Sequence, residues 1–152
     1  MYQDLNFGNV KTYLQSGNVI FYSIEKDPKK IKKIISQKIK SEFGFDVPVT
    51  VLNIKKLKQI IDNNPFAEKK ELTQLYVTFL ASKPAPYDKK IIEDKKLPQE
   101  DIAFTDDAVY LFCPKGYGLS KLNNNLIENK LKVSATTRNW KTTLELLKLS
   151  TE

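Results

Sequence analysis

Histidine is missing from this chain. With it go the commonest general base and the commonest metal ligand. Ser-His-Asp and Cys-His catalytic arrangements are therefore excluded, although Asp, Glu, Lys or Tyr could still move protons. Cysteine is nearly missing too: Cys113 stands alone in the apolar run Val109-Tyr110-Leu111-Phe112-Cys113. One cysteine makes neither an intrachain disulfide nor a zinc site, which points to a reducing compartment. Its apolar neighbours predict a buried small hydrophobe rather than a reactive thiol. Arginine is reduced to Arg138, although Lys+Arg total 25; a surface built to read bases would be expected to use more. No apolar run approaches the roughly 20 residues of a membrane span. Met1-Tyr2-Gln3-Asp4 is polar, with no leader-like apolar run behind it. A cytoplasmic protein is expected, with no membrane partner, no cofactor and no metal.

What is present describes an ordinary globule: 41% hydrophobic and 28% charged residues over 152 positions. Folding at this length buries roughly 68–70% of the chain's surface, so no covalent staple is needed. The net charge of +7 is a weak pointer to nucleic acid or another anionic surface. Lysines placed only for solvation would produce the same number.

Val10 to Gln15 and Asn18 to Ser23 alternate around Ser16-Gly17, which reads as a β-hairpin. Asp27-Pro28 opens a helix as N-cap and first helical residue. Ile31, Ile34, Ile35, Ile39 and Phe43 form its apolar stripe, and Lys29, Lys33 and Lys40 fall on the opposite face. Gly44 is its stop. Val47 to Leu52 reads as a strand with Pro48 near its start, and Leu57, Ile60 and Ile61 mark a short helix ended by Asn64-Pro65. Further on come a strand at Leu75–Leu80, a helix at Tyr87–Lys96, and a second hairpin of Asp101–Thr105 and Ala108–Cys113. A helix at Ser120–Leu131, a short strand at Val133–Ala135, and a final helix capped by Asn139 complete the order. That last helix is expected to bury Leu144, Leu147 and Trp140.

The second half thus runs βαββα, short strand, α, and the first half ββαβα. The two match when the first lacks an opening strand and most of a helix, whose tail would be Met1 to Gly8. The predicted fold class is α+β, with two ferredoxin-like βαββαβ halves. They would occupy residues 1–66, the incomplete half, and 67–152. Lys69-Lys70-Glu71 is the only linker candidate.

Two segments suggest a site. Gly116-Tyr117-Gly118-Leu119-Ser120-Lys121 is a flexible turn leading to Ser120 as a helix N-cap, with Lys121 beside it. It is not a P-loop, because the Gly-Lys-Ser/Thr order and spacing are absent. Thr136-Thr137-Arg138-Asn139 could hold an anion bidentately through Arg138 with threonine donors, at the start of a second helix. Helix N-termini carry free N–H groups and partial positive charge, so two converging starts would suit a phosphate. The candidate ligand-binding residues are Tyr117, Gly118, Ser120, Lys121, Thr136, Thr137, Arg138 and Asn139; no catalytic residue is assigned. Each segment also has a bland explanation, as a turn with its cap and as an Arg tied to the core. Asn18 could present an amide to a ligand or serve the hairpin turn. Strand aromatics Tyr13, Phe21, Tyr22, Tyr76 and Phe79 could stack bases or fill the core. The pairs Asp106-Asp107 and Glu93-Asp94 read as solvated loop and helix residues.

The same stretches, together with Val10 to Phe21, Asn64-Pro65-Phe66, Tyr76 to Leu80, Leu122, Ala135 and Trp140, resemble the DUF1697 family of bacterial proteins of unknown function. The resemblance spans nearly the whole chain and implies a pair of ferredoxin-like halves, without an activity. The resemblance implies an opening strand, an Arg-Gly loop and a helix, with this sequence starting inside that helix, whether through a misassigned start, a cut segment or a true lack of it. In such a sheet the first strand is central, so its loss would leave edges open to a second copy, a route to a homodimer. Three functions stay open. The first is a non-catalytic binder of a phosphate-bearing small molecule or nucleic acid. The second is an enzyme on a phosphorylated or carboxylated small molecule, with Lys121 or Tyr117 as acid/base. The third is an interaction module without a ligand.

Overall fold

The computed structural model describes residues 5–13, 17–68 and 71–151. Among them it is a mixed α+β molecule with two antiparallel sheets and five α-helices. Two compact units share the chain: Met1–Lys58 with Glu145–Glu152, and Gln59–Leu144. The Lys69-Lys70 part of the linker candidate and the Ser16 position of the first turn lie outside the described residues, as does most of the helix tail expected before Gly8.

In the first unit, strands β1 (Gly8–Tyr13) and β2 (Asn18–Tyr22) form the expected hairpin, with Lys11 opposite Ile20 and Tyr13 opposite Asn18. Helix α1 (Pro28–Phe43) starts where Asp27 accepts a hydrogen bond from the Lys29 N–H at 3.0 Å. It stops at Gly44, whose φ of 78° favours a residue without a Cβ. Phe7, Ile31 and Ile35 make the core of this unit, and Phe7 stacks on Phe21 at 4.2 Å.

The apolar stripe of α1 is narrower than its spacing suggests. Ile39 is half-buried, but Phe43 is 58% exposed. Residues four apart over-rotate by about 40° at 3.6 residues per turn. Three such steps from Ile31 carry Phe43 round to the solvent side. A second correction concerns Val47 to Leu52, which forms no strand ladder. Val49 and Val51 still pack on the core. Alternation suits a segment for a ladder but does not supply the neighbouring strand, and Pro48 contributes no N–H.

In the second unit, β3 (Leu75–Leu80), β4 (Asp101–Phe104), β5 (Ala108–Phe112) and β6 (Ala135–Asn139) lie in the order β4-β5-β3-β6, every pair antiparallel. Helix α3 (Lys89–Glu93) follows β3 and helix α4 (Asn124–Leu131) follows β5. Leu80, Val109, Leu111 and Cys113 meet Ile92, Ile127 and Leu131 of those helices on one face. Neighbouring Tyr110 points the other way, and its hydroxyl donates to the Ile60 carbonyl of helix α2 (Ile54–Asp62) at 2.6 Å.

Three boundaries differ from expectation. Helix α3 is shorter than Tyr87–Lys96, because the Asp88 carboxylate accepts from the Lys90 N–H and sets the start there. Helix α4 starts at Asn124, not Ser120. The Ser120 hydroxyl accepts from the Leu122 N–H at 3.0 Å, a local turn that competes with helix, and Asn123 is the true cap of Leu126. The last strand runs through Asn139 rather than ending at Ala135. Helix α5 (Trp140–Ser150) buries Trp140, as expected, but leaves Leu144 exposed. Among the described residues no helix is long and apolar enough to cross a membrane.

Tyr110→Phe strands a buried carbonyl, so it should destabilise the protein by about 1–3 kcal/mol in denaturant titration. Burial pushes both the Tyr110 phenol and the Cys113 thiol up to about 12, with Glu100 adding to the effect on Cys113. Both groups therefore keep their protons in the native state at pH values where the unfolded chain releases them. Stability should fall as pH rises from about 9 towards 12, and Tyr110→Phe with Cys113→Ala should flatten that fall. A thiol reagent should label Cys113 only as fast as the chain opens.

Candidate functional site

The two C-terminal segments do meet, through Tyr117 and Thr137. Gly116, at φ 96°, turns the chain after β5 into a short 3-10 turn, Tyr117–Leu119. The Tyr117 ring stacks on Tyr76 at 5.2 Å, and its hydroxyl donates to the Thr137 Oγ1 at 3.3 Å. Thr137 in turn donates to Asn124 Oδ1 at 2.9 Å and lies 2.8 Å from the Thr78 hydroxyl. A hydroxyl has one proton. With that proton on Asn124, Thr78 is the donor of the pair, and Thr137 uses both acceptor positions. The Asn124 amide donates to Glu128 Oε1 and to the Ala135 carbonyl, and Glu128 Oε2 accepts the Ala135 N–H. The first turn of α4 is thus stitched to β6 by a network whose donors and acceptors answer one another. Asn124 and Glu128 were missed in the sequence. Their i,i+4 spacing on one helix was the available signal.

Strand alternation divides the other candidates. Thr137 faces α4, so Thr136 and Arg138 face the opposite side of the sheet. Half-buried Arg138 donates from Nη1 to the Thr137 carbonyl at 2.9 Å, and burial lowers its pKa from the usual value. Asn139 caps α5, accepting the Thr142 N–H at 2.8 Å. Lys121 and Gly118 are exposed on the segment leading to α4. Ser120 is buried in its local turn. The structure therefore joins Tyr117 with Thr137, and only one of the two expected helix starts, that of α5 at Asn139, is where it was placed.

Two further candidates, Asn18 and Asp106, are engaged elsewhere. The Asn18 amide donates across the hairpin to the Tyr13 carbonyl at 3.2 Å. Asp106 pairs with Lys83 at 3.5 Å. Among the described residues, no group of three His, Cys, Asp or Glu side chains could hold a metal ion.

A different surface carries the charge. Residues 26–58 hold ten lysines against three carboxylates, Asp27, Glu42 and Asp46. The other residues hold fifteen Lys+Arg and fifteen Asp+Glu, so the whole surplus of +7 belongs to this one segment of the first unit. On α1, Lys29, Lys33 and Lys40 are exposed along one stripe, spanning about 16 Å at 1.5 Å per residue. Its first turn carries no acidic residue. Lys40 reaches Asp46 at 3.7 Å, an exposed pair of little strength. Summing charge by segment rather than over the chain finds this surface in the sequence.

The family model described as "Protein of unknown function (DUF1697)" matches residues 1–110. The chain belongs to the DUF1697 family. The match includes the basic segment and Thr78 but ends before Gly116, so Tyr117, Asn124, Glu128 and Thr137 lie beyond it. The fold is similar to that of the conserved bacterial protein SP0830 from Streptococcus pneumoniae. There the TM-score is 0.70 at 19% identity, over 98% of this chain and 84% of that one. A search of curated proteins finds no match.

Thr137→Val removes the hub of the network and should cost about 1–3 kcal/mol of stability by denaturant titration, while Thr137→Ser should retain most of it.

Proposed function

We propose that this DUF1697 member is a non-catalytic binder of a phosphate-bearing polyanion, with nucleic acid as the leading ligand. The single observation that carries the reading is the charge partition: the surplus of +7 is confined to residues 26–58. Clustered lysines raise the local concentration of anions and gain affinity by releasing the polymer's counterions. Near-absence of arginine suits contact with a backbone rather than recognition of base edges. The ligand class is the one expected from the C-terminal segments, but its site moves to the exposed stripe of α1. Tyr117 and Thr137 are occupied with each other.

The same reading takes the chain as two ferredoxin-like halves. What supports it is the second unit, where βαββαβ element order and the β4-β5-β3-β6 sheet order both agree with that fold.

The test is titration of inorganic polyphosphate and of a labelled oligonucleotide at several salt concentrations. Affinity should fall steeply with salt. Lys29→Gln/Lys33→Gln/Lys40→Gln should weaken binding about tenfold or more at low salt. It should also reduce the salt slope by about two, at roughly 0.7 for each phosphate of a single strand that is no longer neutralised. Binding that survives the triple variant but is lost in Arg138→Ala would return the site to the C-terminal segments. Binding to neither polymer overturns the proposal.

A further inference from the structure

We propose that the polyanion is single-stranded nucleic acid, its backbone tracking the lysine stripe of α1 and its bases stacking on Phe43 and Phe45. This rests on the polyanion reading and adds the chemistry of the partner.

The observation is an aromatic pair left in solvent at the end of the basic stripe. Phe43 and Phe45 are each 58% exposed, with ring centroids 6.3 Å apart and planes inclined at 43°. Phe43 follows Lys40 by three residues, so the two side chains are neighbours on one face of the helix. Gly44, in the left-handed conformation, reverses the chain and sets Phe45 beside Phe43. The arrangement is a line of cations about 16 Å long leading to two rings that are more than half exposed. Sequence-tolerant single-strand binders combine these two parts: a positive track for phosphates and aromatic faces for bases, since every base has a π-face. A polymer of phosphate alone has nothing to place on the rings. A duplex keeps its bases stacked on one another and out of their reach.

The experiment compares a fluorescein-labelled oligo-dT of about twelve nucleotides, within the usual site size of such proteins, with its duplex and with inorganic polyphosphate, by anisotropy at one ionic strength. Wild type should bind the single strand at least about five-fold more tightly than either competitor. Phe43→Ala/Phe45→Ala should lose at least that factor for the single strand and leave polyphosphate affinity unchanged. Phe43→Tyr/Phe45→Tyr should retain single-strand binding. Both rings are exposed, and circular dichroism of each variant verifies the fold. Equal affinity for single strand, duplex and polyphosphate, or indifference to the alanine pair, overturns the stacking inference and leaves the polyanion reading standing. No salt-dependent binding to any of the three removes both. Ring-dependent binding to anionic phosphatidylserine vesicles, with none to oligo-dT, also overturns it, because the lysines and rings would then belong to a membrane surface.

Discussion

Strand β3 lies between β5 and β6, so both of its edges are paired and its residues have nowhere to go but the two faces of the sheet. Leu75, Val77 and Thr78 are fully buried there. A hydroxyl in such a place is costly unless it is hydrogen-bonded. Thr78 meets that condition by donating to Thr137 on the adjacent strand, and the rest of the network follows from it. Thr137 passes its own proton to Asn124, which ties the first turn of α4 to β6. Tyr117 joins at the remaining acceptor position, which fixes the turn after β5. One buried threonine in the middle strand thereby determines how two separate small-polar segments come together. It also determines which of their side chains do not, since alternation along β6 sends Arg138 away from Thr137.

Features with a local cause were legible in the sequence. The start of α1 is written in Asp27-Pro28 and its end in Gly44. The bounds of β3 at Leu75–Leu80 follow from a short apolar run. The capping of α5 by Asn139 is likewise local. Features that depend on a neighbour were not. Val47 to Leu52 has the composition of a strand but forms no ladder. Ser120 looks like a helix cap, yet its hydroxyl closes a shorter turn and Asn123 takes the role. Within the candidate site, adjacency in sequence put Thr137 and Arg138 together, and the pleat of a strand turns them to opposite faces. Phe43 shows the opposite error, a residue assigned to the core by spacing and turned outward by accumulated helical rotation.

The structural likeness to the pneumococcal protein, at 19% identity, speaks for the fold alone. The C-terminal motifs that draw the eye are largely explained by packing and hydrogen bonding. The exposed lysines of α1 are explained by neither, since a neutral side chain of similar length would serve the helix as well. Their concentration in one segment is the less conspicuous signal and the more informative one.

Outside residues 26–58 the chain is electrically neutral, fifteen charges of each sign. Mutual repulsion between copies in solution therefore comes from that one segment. A polyanion that saturates it removes the charge that keeps the molecules apart. Near equal charge ratios the complexes should condense into a turbid phase, and excess of either component should clear it. On the proposed reading the same ten lysines would govern both dispersal and occupancy, so filling the surface would change how the protein disperses.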